Sequence, residues 1–237
     1  MAKQQGKLFL IPTPIVADSL ESMSPEVTGI IHSIRYYIVE KVRTARRFVS
    51  AAGHPEKIDS MTFIEMPEDQ SNLKELEQLL APALKGENIG LMSEAGLPAI
   101  ADPGNLYVRV AQGMGIEVVP LAGPSSLMMA LMASGLEGQR FSFHGYLSAK
   151  KNELGNQLKD LEKRADRDDA TQLFIETPYR NRQVLEVAAG TLDSKRRFCI
   201  AAGIGGKDGF VLTKTMADWK KSGWPEIHKI PAVFLIK

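Results

Sequence analysis

Short apolar runs alternate with segments of helical spacing through the first 120 residues, and this alternation restricts the fold more than any other feature. Leu8-Phe9-Leu10-Ile11, Tyr36-Tyr37-Ile38-Val39, Met61-Thr62-Phe63-Ile64, Asn88-Ile89-Gly90-Leu91-Met92 and Ile116-Glu117-Val118-Val119 each have the length of a strand. Between them, Ser24-Pro25-Glu26 opens a helix, with Ser24 as cap and Pro25 at the first helical position. A second helix runs through Phe48 to near Gly53. Leu73, Leu76, Leu79, Leu80 and Leu84 recur at helical spacing before Gly86, and Asn105 to Ala111 reads as a fourth helix. Repeated alternation of this kind predicts a parallel sheet with crossover helices. The loops after the strands, near Pro12, Glu40, Ser93 and Leu121, should then gather at one edge of that sheet.

Three of those loops are stiff and poor in side chains: Pro12-Thr13-Pro14, Ser93 to Gly104, and Leu121-Ala122-Gly123-Pro124-Ser125-Ser126. In the longest, Pro98 and Pro103 lack amide hydrogens and push the preceding residues into extended conformations. Gly96 and Gly104 admit backbone angles closed to other residues. A rigid loop between a strand and a helix is where open α/β sheets bind ligands, and here main-chain amides and carbonyls would be within close reach.

The pattern changes after Ser126. Leu127, Met128, Met129, Leu131 and Met132 predict a helix whose methionines pack in the core. Phe141 to Tyr146 alternates apolar and polar, as a strand with one exposed face does. Leu154, Leu158 and Leu161 mark a charged helix. Leu173 to Glu176, Phe198 to Ile200, Phe210 to Leu212 and Val233 to Ile236 are further strands with short connections, which predicts a mixed sheet. The expected fold is α/β in two domains, residues 1–121 and 122–237, with the boundary between Pro120 and Ser125.

A net charge of +1 disfavours a dedicated duplex binder. The single Cys199, inside an apolar run, excludes a disulfide framework and a zinc site of several cysteines, and reads as a buried thiol. His32, His54, His144 and His228 are scattered, so no metal site is predicted. No run has transmembrane length and no signal-peptide core precedes Leu8, so a cytoplasmic protein without membrane attachment is expected. Gly203-Ile204-Gly205-Gly206-Lys207-Asp208-Gly209 invites a phosphate-loop reading but has Asp208 where Ser or Thr should follow the lysine. As a dinucleotide fingerprint its third glycine is one position late, which argues against a nicotinamide enzyme. Glu40 to Arg43 and Glu176 to Arg180 each end a strand, and Pro178 suggests a helix start.

The three stiff loops, in this order, together with Glu40, Arg43, Arg140-Phe141, Gly145-Tyr146-Leu147, Lys150, Glu176 and Arg180, resemble the tetrapyrrole methylase superfamily. They are most similar to its branch that methylates ribose 2′-hydroxyls of small-subunit ribosomal RNA, over about Leu8 to Ile236. That resemblance implies a two-domain methyltransferase, a homodimer, with S-adenosylmethionine in the cleft between domains and no metal. It implies cofactor contacts at Pro12, Ser93, Glu94, Ala95, Gly96, Pro98, Ile100, Ser125, Ser126, Tyr146, Leu147, Gly203, Ile204, Pro231 and Ala232. It also implies ribosomal RNA, or the small ribosomal subunit, as partner. The departures include Lys41-Val42 between Glu40 and Arg43, Glu94 for a usual Asp, and Leu97 for a usual Thr.

For such chemistry the candidate catalytic residues are Glu40, Arg43, Glu176 and Tyr179. Glu40, Glu176 and Tyr179 are candidate proton acceptors, and Arg43 and Arg180 would hold a phosphate or carboxylate. A small-molecule tetrapyrrole methylase and a non-catalytic cofactor-binding protein are the alternative readings.

Overall fold

The computed structural model describes residues 5–16, 19–67, 69 and 71–237, and the chain divides into two compact units, Met1–Ser125 and Ser126–Lys237. In the first, five strands, β1 (Leu8–Leu10), β2 (Tyr36–Val39), β3 (Thr62–Glu65), β4 (Ile89–Met92) and β5 (Val118–Pro120), pair in parallel in the order β3-β2-β4-β1-β5. The connecting helices are α1 (Pro25–Ser33), α2 (Val42–Ala51), α3 (Leu73–Leu84) and α4 (Asn105–Gly113). Ser24 caps α1 as expected, its Oγ accepting from Val27 N at 3.2 Å.

Strand side chains alternate between two faces. Phe9, Ile11, Tyr37, Val39 and Met92 pack with Val27 and Ile31 of α1 and Ala45, Phe48 and Val49 of α2. Leu8, Ile38, Ile89 and Leu91 pack with Leu76, Leu80 and Ala83 of α3 and Tyr107 and Ala111 of α4. Helices α1 and α2 therefore cover one face, and α3 and α4 the other. The buried Tyr37 hydroxyl lies 2.9 Å from Ile31 O and 3.0 Å from Ile34 O, so it satisfies carbonyls at the end of α1. Neighbouring strands β1 and β4 send their connections to opposite faces, which is the topological switch at which open α/β sheets hold ligands.

The second unit has β6 (Phe141–Tyr146), β7 (Thr171–Glu176), β8 (Arg197–Ala202), β9 (Phe210–Thr215) and β10 (Ala232–Ile236), ordered β6-β7-β10-β8-β9. Only β6 and β7 pair in parallel, so the sheet is mixed, as expected. Helices α6 (Lys151–Arg167), α7 (Asn181–Thr191) and α8 (Met216–Ser222) lie on the face holding Phe174, Phe198 and Phe234, with Trp219 buried there. Helix α5 (Ser126–Ser134) covers the other face through Leu127, Ala130 and Leu131.

Three local expectations are corrected. Met128 and Met132 do not fill the core: both are exposed, Met132 by 83%. Helix α7 starts at Asn181 rather than Pro178, because Thr177 to Arg180 forms a turn closed by Arg180 N to Thr177 O at 2.9 Å. Helix α8 has no counterpart among the elements read from the sequence. Cys199 is fully buried, and burial pushes its thiol up to about 11.

Candidate active site

The carboxyl ends of β1, β2 and β4 are tied together by main-chain hydrogen bonds. Thr13 N donates to Gly96 O at 2.9 Å and Gly96 N donates to Thr13 O at 3.0 Å, a two-residue antiparallel bridge between the first and central loops. The buried Thr13 hydroxyl lies 3.3 Å from Ser93 O and 3.4 Å from Gly96 O. From the other side, Glu40 Oε2 accepts from Glu94 N at 2.9 Å, and Thr44 Oγ1 donates to Glu94 Oε1 at 3.2 Å. The third loop joins by close approach. A Cβ on Gly123 would lie 2.5 Å from Pro12 Cγ, and nearer still to Pro12 Cβ.

The central loop holds an uncommon backbone. Gly96 has φ 81°, and Ala99 and Ala101 have φ 66° and 63°, where alanine is disfavoured. Asp102 holds this shape: its Oδ1 accepts from Ala99 N at 2.8 Å and from Gly104 N at 2.7 Å. A side chain at Gly104 would meet that same oxygen at 2.9 Å. Asp102 Oδ2 is buried without a partner among the described residues. Burial raises the Asp102 carboxyl above the usual range; the two amides offset part of that, and the Glu40 charge adds to it. Pro12, Ser93, Gly96 and Pro98 are buried, whereas Glu94, Ala95 and Ile100 are exposed.

Arg43 lies on the first turn of α2 and lines, with Pro14, Leu20, Thr44, Arg47 and Phe48, a pocket of about 330 Å³. Lys41, by contrast, pairs with Glu65 at 3.0 Å, and Arg46 pairs with Asp59.

In the second unit the expected site residues collect at one end of the mixed sheet, where Glu176 and Ala202 both pair with Ala232 and Tyr146 pairs with Ile175. Gly203 N donates to Pro231 O at 2.9 Å, Arg180 Nη2 donates to Leu147 O at 3.1 Å, and Ile204 packs against the α5 side of the sheet. Glu176 does not suit the role of proton acceptor. Its side chain is 1% exposed, Oε1 accepts from Thr177 N at 2.7 Å, and Oε2 is held by Arg180. The pair fixes the Leu147 loop instead. Tyr179 is 71% exposed, with its ring edge-on to His228 at 6.2 Å. Among the described residues no group of three His, Cys, Asp or Glu side chains is placed to hold a metal. No helix among them is long and apolar enough to cross a membrane.

Sequence reasoning missed Thr13, Asp102 and Asn181. Asn181 is buried and donates through Nδ2 to Ile227 O at 2.9 Å and Ile230 O at 2.7 Å, holding the loop before β10. Thr13 and Asp102 carry a signal in their placement, one between two prolines and the other before Pro103-Gly104. Asn181 carries none.

No family model matches the chain. It is 30% identical over 227 residues to the ribosomal RNA small subunit methyltransferase I of Escherichia coli O157:H7, across 96% of this chain and 70% of that protein. It is 33% identical over 192 residues to the protein of that name from Bacillus subtilis, across 80% of this chain and 61% of the relative. The chain thus spans roughly two thirds of the length of these relatives. The solved structure of the methyltransferase CobJ matches 98% of this chain and 93% of its own, with TM-score 0.65 and 18% identity. Uroporphyrin-III-C-methyltransferase from Thermus thermophilus matches with TM-score 0.56 and 14% identity, over 98% of this chain and 91% of its own. At those identities the two structures establish the fold alone, and they are the two-sheet α/β fold expected. With a relative 30% identical across 70% of that relative's length, the chain belongs to the family of ribosomal RNA small subunit methyltransferase I and is a methyltransferase that requires a methyl donor.

Proposed function

We propose that this chain transfers a methyl group from S-adenosylmethionine to a ribose 2′-hydroxyl of small-subunit ribosomal RNA. The observation that carries the reading is the 227-residue match to a relative named for that RNA. The geometry supports it. A donor already activated by its sulfonium needs neither a metal nor a covalent intermediate, so the protein's task is alignment. Loops tied by backbone hydrogen bonds, with a glycine against a proline ring and two left-handed alanines, suit that task.

In this reading the backbone at Pro12, Ser93 to Gly96, Pro98 and Ile100 holds the cofactor. The same role is proposed for Ser125 and Ser126, and in the second unit for Tyr146, Leu147, Gly203, Ile204, Pro231 and Ala232. Bound there, the sulfonium supplies an electrophilic methyl carbon. That chemistry would leave the chain's own residues the task of holding the ribose oxygen in line with the methyl carbon. Glu40 is assigned a positioning role, because its Oε2 holds the Glu94 amide of the central loop. Arg43 contributes positive charge beside that loop.

The test is tritium transfer from labelled S-adenosylmethionine to small ribosomal subunits from cells lacking this protein, with a porphyrinoid precursor as the second acceptor. Label in a single ribose of the RNA is the expected result. Label in the porphyrinoid alone, or in neither, overturns the reading. Light scattering checks the homodimer that belongs to the same proposal.

A further inference from the structure

A second pocket, of about 390 Å³, is lined only by residues of the second unit, from α7 and from the segment before β10. That volume falls within the range of small-molecule sites, about 300–1,000 Å³. Its apolar lining is Leu185, Pro225, Ile227 and the indole of Trp224. Trp219 stacks on Trp224 at 5.4 Å and does not line the pocket, so the indole is backed from the other side. Three polar groups of the lining have no hydrogen-bond partner among the described residues: Trp224 Nε1–H, the His228 ring nitrogens and Glu226 Oε2. Glu226 Oε1 accepts from His228 N at 3.0 Å. Arg182 adds no free charge, because it pairs with Glu186 at 3.2 Å. The loop that carries these groups is held in shape. Asn181 Nδ2 donates to Ile227 O and Ile230 O, Lys229 N donates to Pro178 O, and Lys229 is kept at φ 63°, where a lysine is disfavoured.

We infer that this pocket receives one unpaired guanine base of the RNA, lying against Trp224 and read by Glu226. The inference rests on the reading that RNA is the acceptor. Proteins read RNA by sequence where bases leave the stack, meet aromatic or apolar surfaces, and offer their Watson–Crick edges to hydrogen bonds. The unused groups here match one such edge. A carboxylate only accepts, and an indole N–H only donates. Guanine presents a ring N–H beside an exocyclic amine, two donors for the carboxylate, and a carbonyl for the Trp224 or His228 N–H. Uracil presents one ring N–H between two carbonyls, which a carboxylate repels. Charge keeps the phosphates outside. Two carboxylates, Glu186 and Glu226, stand in the lining against the single Arg182, which Glu186 already holds. Three residues after His228 the chain reaches Pro231, where the segment proposed to hold the methyl donor begins.

The experiment uses the full chain, with Glu226→Gln and Trp224→Phe as variants and melting curves to check that each folds. Single-stranded uridine oligomers, plain or carrying one guanosine, are titrated at fixed salt, and tryptophan emission and the anisotropy of a labelled oligomer are followed. The chain has two tryptophans, and Trp219 is buried behind the pocket, so quenching reports on Trp224. The guanosine oligomer should quench the emission and bind about tenfold more tightly than the plain one. Glu226→Gln should erase that preference, although it removes a negative charge and would otherwise strengthen binding to a polyanion. Trp224→Phe should lose the quenching and weaken binding of the guanosine oligomer. Equal affinities without quenching, in a parent that methylates RNA, overturn this inference alone, as does tighter binding of the guanosine oligomer by Glu226→Gln. Quenching by S-adenosylmethionine or by free guanosine monophosphate as strong as that by the oligomer also overturns it, and gives the pocket to a small molecule. A parent that methylates no RNA removes the reading beneath it, and this inference with it.

Discussion

Gly123→Ala is the sharpest test of the loop architecture, because it adds one methyl group where the structure has no room for it. The position does not lie in the left-handed region, so alanine meets no backbone penalty and the effect is steric alone. Its Cβ would fall 2.5 Å from Pro12 Cγ, while ordinary contact begins at 3.4 Å, so the loops must separate by at least about 0.9 Å. A pyrrolidine ring cannot rotate away as a flexible side chain would. Overpacking of this kind costs about 1–3 kcal/mol, and 2 kcal/mol lowers the melting temperature by about 4–8 °C. A displacement near 1 Å also disturbs alignment, which can cost about 100-fold in rate.

Differential scanning calorimetry reads the first effect, and methyl transfer with S-adenosylmethionine titrated by calorimetry reads the second. Gly29→Ala is the control. It lies inside α1 with open space around its Cβ, and should raise stability by roughly 0.5–1 kcal/mol. If Gly123→Ala melts and turns over as the parent does while Gly29→Ala behaves as expected, the close approach of the first and third loops is not a constraint, and the main-chain cradle reasoning fails.

Three further outcomes follow from the same geometry. Glu40→Gln keeps an oxygen for the Glu94 amide and should hold kcat within about fivefold, whereas Glu40→Ala loses that bond, worth about 1–1.5 kcal/mol, and should fall roughly tenfold; a drop of 100-fold or more in the Gln variant would mean proton transfer instead. Asp102→Ala strips the acceptor from two amides and should cost about 1–3 kcal/mol, with Asp102→Asn milder. Because the Asp102 carboxyl is raised in the folded state, its contribution is full below the unfolded value near 4 and is lost as pH rises through the folded value; chemical denaturation of Asp102→Asn across pH 4 to 6 should therefore decline less than that of the parent. Cys199, held near 11 by burial, should resist a thiol reagent at pH 8 in the native protein and react on unfolding; rapid native labelling would contradict its burial.

The parallel sheet is legible in the sequence because its strands are short, apolar and bounded by turn residues. Tyr36 to Val39 is delimited to the residue, since Arg35 and Glu40 flank four residues that pack on one face or the other. Strand order is not legible. Nothing local to β1 or β4 says that they are neighbours, so the bridge from Thr13 to Gly96 cannot be foreseen from either segment. The methionines of α5 show a different limit. In Ser126-Leu127-Met128-Met129-Ala130-Leu131-Met132, apolar residues occupy every side of the helix, so periodicity cannot tell which side faces the sheet. Pro178 misleads because a proline suits a turn as well as a first helical position, and the Lys229 N to Pro178 O bond at 3.1 Å that accompanies the turn comes from a segment remote in sequence.

The candidate site divides along the same line. Where the work falls to the main chain, the requirement is for absence: no Cβ at Gly123, no room for one at Gly104, no amide at Pro12 or Pro98. Absence of this kind is written in the sequence as glycine and proline, and is legible there directly. Where the work falls to side chains, the sequence shows only that a carboxylate or guanidinium exists. Glu40 and Glu176 look alike, each at a strand end with an arginine three or four residues on. Folding makes them different: Glu176 is buried against Arg180, while Glu40 holds a loop amide and Arg43 faces a pocket. Main-chain loops are thus the part of such a site most open to reading, and side-chain contacts the part that must be measured.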